Sequence, residues 1–128
     1  MDWKYFTHEE LACQGTGECE MEEEFMEKLI ALREDYGNPM IITSGYRHLA
    51  HNSSIGGAKN SPHLYGRAVD IKVAGKSALK IVELALRHGM TGIGVKQRGA
   101  HEARFIHIDD MPHSDDHPRP WIWSYNHW

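Results

Sequence analysis

Two six-residue segments, AVDIKV at 68–73 and RFIHID at 104–109, constrain this 128-residue chain more than any other feature. In the first, Val69, Ile71 and Val73 share one face, and Asp70 points the other way with Ala68 and Lys72. In the second, Ile106 and Ile108 take one face, while Phe105, His107 and Asp109 take the other. Each reads as a strand whose aliphatic side belongs to a core and whose opposite side carries titratable groups. A carboxylate beside a small alanine, and a histidine held between two isoleucines, suit strands that line a cavity.

The rest of the chain supplies partners for these strands. Thr7 and Glu10 have the spacing of a capping box before a short helical turn. From Met21 to Tyr36 the residues Phe25, Leu29, Leu32 and Tyr36 fall on one helical face, with Gly37 and Pro39 as the stop. Met40–Thr43 is a β-branched run that enters Ser44-Gly45-Tyr46, a strand leading into a tight turn. Ala50-His51-Asn52 reads as a helical turn, and Ser54 to Ser61 as a loop. Lys76 to His88 forms a second amphipathic helix, with Leu79, Val82 and Leu86 on one flank, Ala78, Ile81 and Ala85 filling the stripe, and Gly89 as cap. Thr91–Val95 is a further strand. Two helices and a few short strands in this order predict an α+β fold: a small, mostly antiparallel sheet with flanking helices. The length fits one domain over residues 1–128, ending in a Pro-, His- and Trp-rich tail over 112–128.

Composition narrows the function classes. With 14 basic and 18 acidic residues the net charge is -4, and no basic stripe or nucleic-acid motif is present, so no nucleic-acid partner is expected. No run of about eighteen apolar residues exists, so no membrane span is expected. The N-terminus lacks a basic stretch followed by an apolar core, so no secretory leader is expected either. Cys13 and Cys19 are too few for an all-cysteine metal site; they close a short disulfide loop or stay free. Ten histidines raise the weight of a metal site.

His63 and Asp70 lie seven residues apart around Gly66, and His107 sits on the second of the two constraining strands. Two imidazoles and one carboxylate are zinc donors that leave a fourth position open for water. Asp109, two residues on, is placed to orient the imidazole of His107. Taken singly, each has an ordinary alternative: a loop histidine, a half-buried hydrogen-bonded histidine, and an aspartate paired with Arg47 or Lys72.

Ser44-Gly45-Tyr46-Arg47, Ser61-x-His63-x-x-Gly66-x-Ala68-x-Asp70, Gly92-Ile93-Gly94-Val95 and Phe105-Ile106-His107-Ile108-Asp109 together resemble the zinc D-Ala-D-Ala carboxypeptidase and murein endopeptidase family, which has a hedgehog-like fold and includes phage lysins. The resemblance covers nearly the whole chain. It implies Zn2+ on His63, Asp70 and His107, a peptidoglycan stem peptide as substrate, Arg47 steadying the substrate or the developing oxyanion, and Ser61 lining the peptide site. It also implies a chain that is cytoplasmic until released, or phage-associated.

One position departs from the pattern. Many relatives carry an acidic residue three positions before the last histidine ligand, where this chain has Arg104. An arginine cannot accept a proton. Glu102 is then the first candidate for general base, His101 the second, and Asp109 the weakest. The rival reading is a non-catalytic, zinc-stabilised wall-binding or phage structural domain. In the tail, Arg119, Trp121 and Trp123 either form a binding rim or cover a sheet face.

Overall fold

The computed structural model describes residues 3–125. Chain order runs α1 (His8–Leu11), α2 (Glu23–Tyr36), β1 (Ile41–Ser44), α3 (Leu49–Ser54), a 3-10 turn (Pro62–Tyr65), β2 (Ala68–Lys72), α4 (Gly75–Arg87), β3 (Gly92–Lys96), a second 3-10 turn (His101–Ala103), β4 (Phe105–Asp109) and β5 (Trp121–Ser124). The five strands form one sheet in the order β1-β2-β4-β3-β5. All neighbours are antiparallel except β3 and β5, which are parallel. The expected α+β architecture is what forms.

Alternation decides which face is which. Val69, Ile71, Ile93, Ile106 and Ile108 enter the core with Phe25, Met26, Leu29 and Leu32 of α2 and Ala78, Ile81, Leu84 and Ala85 of α4. The helices therefore cover one face of the sheet, and the polar residues of β2 and β4 are left on the other. The capping box at Thr7 is present, with Thr7 Oγ1 accepting from the Glu10 amide and Glu10 accepting from the Thr7 amide. Gly37 adopts the left-handed conformation that ends α2. Cys13 and Cys19 are both free thiols. No helix among the described residues is long and apolar enough to cross a membrane.

Two expectations change. Leu79 and Leu86 are 73% and 57% exposed, so α4 buries the Ala78–Ile81–Leu84–Ala85 stripe and turns its expected leucine flank outward. Helix α4 meets the sheet along one narrow stripe, and small Ala78 and Ala85 allow the close approach there. The expected tail also does more than trail from the domain. After Asp109 it turns back and pairs Trp121–Ser124 with Gly92–Val95, adding the parallel edge strand.

Gly66 ends the first 3-10 turn at φ +68°, and a Cβ there would drive into the carbonyl oxygen of Glu20. The Gly66 carbonyl in turn accepts from the Glu22 amide at 2.9 Å, tying the turn to the start of α2. Gly66→Ala is expected to lower unfolding stability by about 1–3 kcal/mol in reversible urea denaturation, through combined strain and clash. An unchanged midpoint would show that the turn and α2 can separate freely.

Candidate metal centre

The site is built on the polar face of β2 and β4. Their register sets Asp70 directly opposite His107, flanked by the Val69–Ile108 and Ile71–Ile106 pairs that face the core. His63 arrives from the 3-10 turn. Ser61 caps that turn, its Oγ accepting from the His63 amide at 3.2 Å. The Ser44–Arg47 segment braces the turn from the other side, since the Arg47 amide donates to the His63 carbonyl at 3.1 Å. Gly45 is required in this segment because a Cβ would meet the backbone of Leu11 at 2.6 Å. An irregularity between Ile42 and Ser44 brings Ser44 level with Asp70 and so carries Arg47 to the site.

The three expected ligands converge. His63 Nε2 lies 3.2 Å and His107 Nδ1 3.0 Å from the same oxygen, Asp70 Oδ1, and donor atoms of all three side chains lie within 4.8 Å of one another. Ligands about 2.0–2.1 Å from a tetrahedral zinc ion are separated by about 3.3 Å, close to these spacings. Partners on the far side of each ring assign its protons. His63 Nδ1 lies 2.7 Å from the Gly45 carbonyl, which can only accept, so this nitrogen carries hydrogen and Nε2 presents a lone pair. His107 Nε2 lies 2.7 Å from Asp109 Oδ2, so it too donates outward and leaves Nδ1 for the centre. A bare lone pair on His63 thus faces a buried carboxylate, a contact that a cation between them makes favourable. The donor set fits zinc.

The two rings differ in their hold on a proton: His63 gives it up readily, whereas His107 holds one at the centre that a metal ion would displace. Burial pushes His63 below the usual histidine range, and Asp70 offsets that only in part. Burial would raise Asp70, but the two imidazoles that face it, His63 and His107, outweigh burial and hold the carboxyl far below the usual range. Burial disfavours a charged His107 as well, yet hydrogen bonds to Asp109 and Asp70 lift it to about 9.

The other expected site residues divide. Arg47 is at the site, with Nη2 3.6 Å from Asp70 Oδ2. Two of its other N–H groups donate to Ser44 Oγ at 3.3 Å and Asn52 Oδ1 at 3.2 Å. Ser61 lines the same cavity, a space of about 410 Å³ open to solvent above the three ligands. Asp109 is fully buried behind His107 and does not line it. Glu102 and His101 are not brought to the centre. Both stand exposed on the 3-10 turn His101–Ala103, outside the cavity wall. Arg104 donates through Nε and Nη2 to the Gly99 carbonyl, bracing the connection that holds that turn. Among the described lining residues Asp70 is the one carboxylate.

Sequence reasoning missed Tyr125; of the tail residues it offered as a rim or a sheet cover, Trp123 lines the cavity, and Arg119 and Trp121 line the open pocket beside it. The alternate glycines Gly92 and Gly94 were the available signal. They stand opposite Asp109 and His107 on the site face of β3, and their missing side chains leave space that the C-terminal segment fills. A Cβ on Gly94 would meet the Trp123 and Tyr125 rings, and one on Gly92 would meet Asp109 and Arg119. The Trp123 ring packs 5.1 Å from that of His107. Burial above all raises the Tyr125 phenol to about 12, so it lines the cavity as a neutral hydroxyl.

A family model described as Peptidase M15 matches residues 4–109, a segment that includes all three ligands. The chain belongs to the peptidase M15 family. A relative named zinc D-Ala-D-Ala carboxypeptidase, from Streptomyces albus G, is 38% identical over 69 residues, which is 53% of this chain and 27% of that protein. A second, named probable peptidoglycan L,D-endopeptidase MepK, from Haemophilus influenzae, is 36% identical over 78 residues, 56% of this chain and 39% of that protein. The matched stretch thus spans well under two thirds of either relative.

Because the pKa of His107 is raised to about 9 in the metal-free site, a proton competes with zinc at neutral pH. Apparent zinc affinity is expected to rise close to tenfold per pH unit from about pH 7 to 9 and then level off, with about one proton released per ion at pH 7. Calorimetric titration in buffers of different ionisation enthalpy measures both; an affinity flat across that range would contradict the shift.

Proposed function

We propose that this chain is a zinc peptidase that hydrolyses an amide bond in peptidoglycan stem peptides, with His63, Asp70 and His107 as the metal ligands. The observation that carries this reading is three buried donors meeting at the floor of a solvent-open cavity. A structural zinc site is closed by four protein ligands, whereas a catalytic one keeps a position open, and among the described residues this cluster has three. Zinc there supplies Lewis-acid chemistry, acidifying water and polarising an amide carbonyl.

The chain's own residues supply the rest. Arg47 presents a guanidinium on the cavity wall, held by Ser44 and Asn52, where it meets a substrate carboxylate or the charge that develops on an attacked carbonyl. Ser61 fixes the His63 turn and lines the peptide site. Asp109 keeps His107 directed at the metal. Trp123, Tyr125 and Phe105 form an apolar wall that orients a peptide and limits water. The position of Glu102 and His101 lends no support to a proton-accepting role. The substrate class rests on the names of the two relatives. A wall peptide as substrate places the work outside the cytoplasm.

Incubating zinc-loaded protein with defined muropeptides and analysing products by mass spectrometry tests the reading. A new fragment is expected, and His63→Ala is expected to lose both it and stoichiometric zinc. The mass of the fragment identifies the bond. Stoichiometric zinc without any fragment would replace the peptidase with a zinc-stabilised wall-binding domain. Arg47→Ala is expected to retain zinc and to lower kcat/KM by about 100- to 1,000-fold; a loss below about threefold would remove Arg47 from the reaction.

A further inference from the structure

Arg119 lies ten residues beyond Asp109, outside the segment that matches the M15 model, yet its side chain turns inward. Only 6% of that side chain is exposed. Nε donates to Asp109 Oδ1 and Nη2 to Asp109 Oδ2, both at 2.9 Å, a two-pronged grip on one carboxylate. Nη1 donates to the Pro118 carbonyl at 2.7 Å, and the Trp123 ring lies 5.3 Å from the guanidinium carbon. The gripped carboxylate is the one whose Oδ2 accepts from His107 Nε2 at 2.7 Å. Asp109 Oδ1 also takes the Met111 amide at 3.2 Å, so the carboxylate is held from three directions.

We propose that Arg119 is a positioning residue for the metal centre: by clamping Asp109 it fixes the ring plane and tautomer of His107, so that Nδ1 points to the ion. This inference rests on the zinc reading of the site. The chain Arg119–Asp109–His107 has a geometric consequence. A carboxylate gripped at both oxygens cannot rotate about its Cβ–Cγ bond, so the direction of the Nε2 hydrogen bond is set. The ring of His107 is then set with it, and the Trp123 face at 5.1 Å closes the other side. Gly92 makes the arrangement possible, because a Cβ there would stand 2.5 Å from the Asp109 oxygens and 2.6 Å from Arg119 Nε. The C-terminal segment thus belongs to the metal site through Arg119, and the arginine that the sequence offered as part of a rim works from behind the ligand. A lysine at 119 would retain the charge but could not span both oxygens.

The test compares wild type, Arg119→Gln, Arg119→Lys and Ile122→Ala. Ile122 lies on the same C-terminal strand, is 64% exposed and is no part of the clamp, so its variant reports on loosening of the strand alone. Zinc affinity is read by chelator competition, ligand geometry by the visible spectrum of the cobalt(II)-substituted protein, and folding by circular dichroism of the metal-free chain. Arg119→Gln is expected to weaken zinc about 10- to 100-fold and to alter the cobalt spectrum, with Arg119→Lys intermediate and Ile122→Ala like wild type. Affinity of Arg119→Gln within twofold of wild type, with an unchanged spectrum, overturns the inference. So does an equal loss in Ile122→Ala, which would make the effect one of strand docking. Should Arg119→Gln fail to fold, Arg119→Lys decides alone: weakened affinity supports the clamp, and wild-type affinity and spectrum overturn it. A wild-type protein that binds no zinc would overturn the zinc reading and this inference together, whereas equal binding by wild type and Arg119→Gln would leave the zinc reading standing.

Discussion

The cross-strand pairing of Asp70 with His107 is the contact on which the site depends, and it is set by what lies on the reverse of the same strands. Val69, Ile71, Ile106 and Ile108 are each 0–1% exposed beneath α2 and α4. A slip of one residue in either strand would expose these side chains and bury Asp70 and His107 in the aliphatic core. Burial of four branched aliphatic residues contributes several kcal/mol, far more than any single polar contact at the site. The core therefore chooses the register, and the register holds a carboxylate and an imidazole about 3 Å apart in a place where neither would settle unaided.

Around that pair the molecule tolerates polar burial by satisfying it in series. Gly45 receives the outward proton of His63, Asp109 that of His107, and Arg119 neutralises Asp109. Each link leaves one nitrogen of each imidazole directed at a common point. Behind β4 a separate group, Asp110 with Lys28 and Arg67, ties the strand end to α2, at 2.8 and 3.0 Å. The glycines at 45, 92 and 94 share a purpose: each removes a side chain where backbone or ring must approach closely. The site is thus a set of close approaches on a rigid sheet, which suits an ion with strict distance demands.

Much of this could be read from residue order. The alternation of 68–73 and 104–109 indicated which groups leave the core, and His63, Asp70 and His107 have donor types that suit zinc, although each taken singly has an ordinary alternative. The capping box at Thr7 and the end of α2 at Gly37 follow from local chemistry that acts within a few residues. The leucines of α4 were misassigned because a helix pattern defines a stripe but not its centre, and the centre was set by where the sheet and α2 lie. Glu102 and His101 were favoured on nearness in sequence to His107. They stand exposed on the 3-10 turn, outside the lining of the cavity.

By itself, the sequence determined the first four strands, the two long helices and the face on which Asp70 and His107 would lie, because those properties depend on periodicities of two and about 3.6 residues; the choice of His63, Asp70 and His107 as zinc ligands came with the resemblance that their motifs carry. Only the tertiary structure decided the order of strands, the return of residues 121–124 beside β3 and the joining of Arg119 to His107 through Asp109. Those depend on contacts between segments far apart in sequence. Gly92 and Gly94 marked a place where side chains are missing from one face of a strand, but which segment fills that space is decided only in the folded chain.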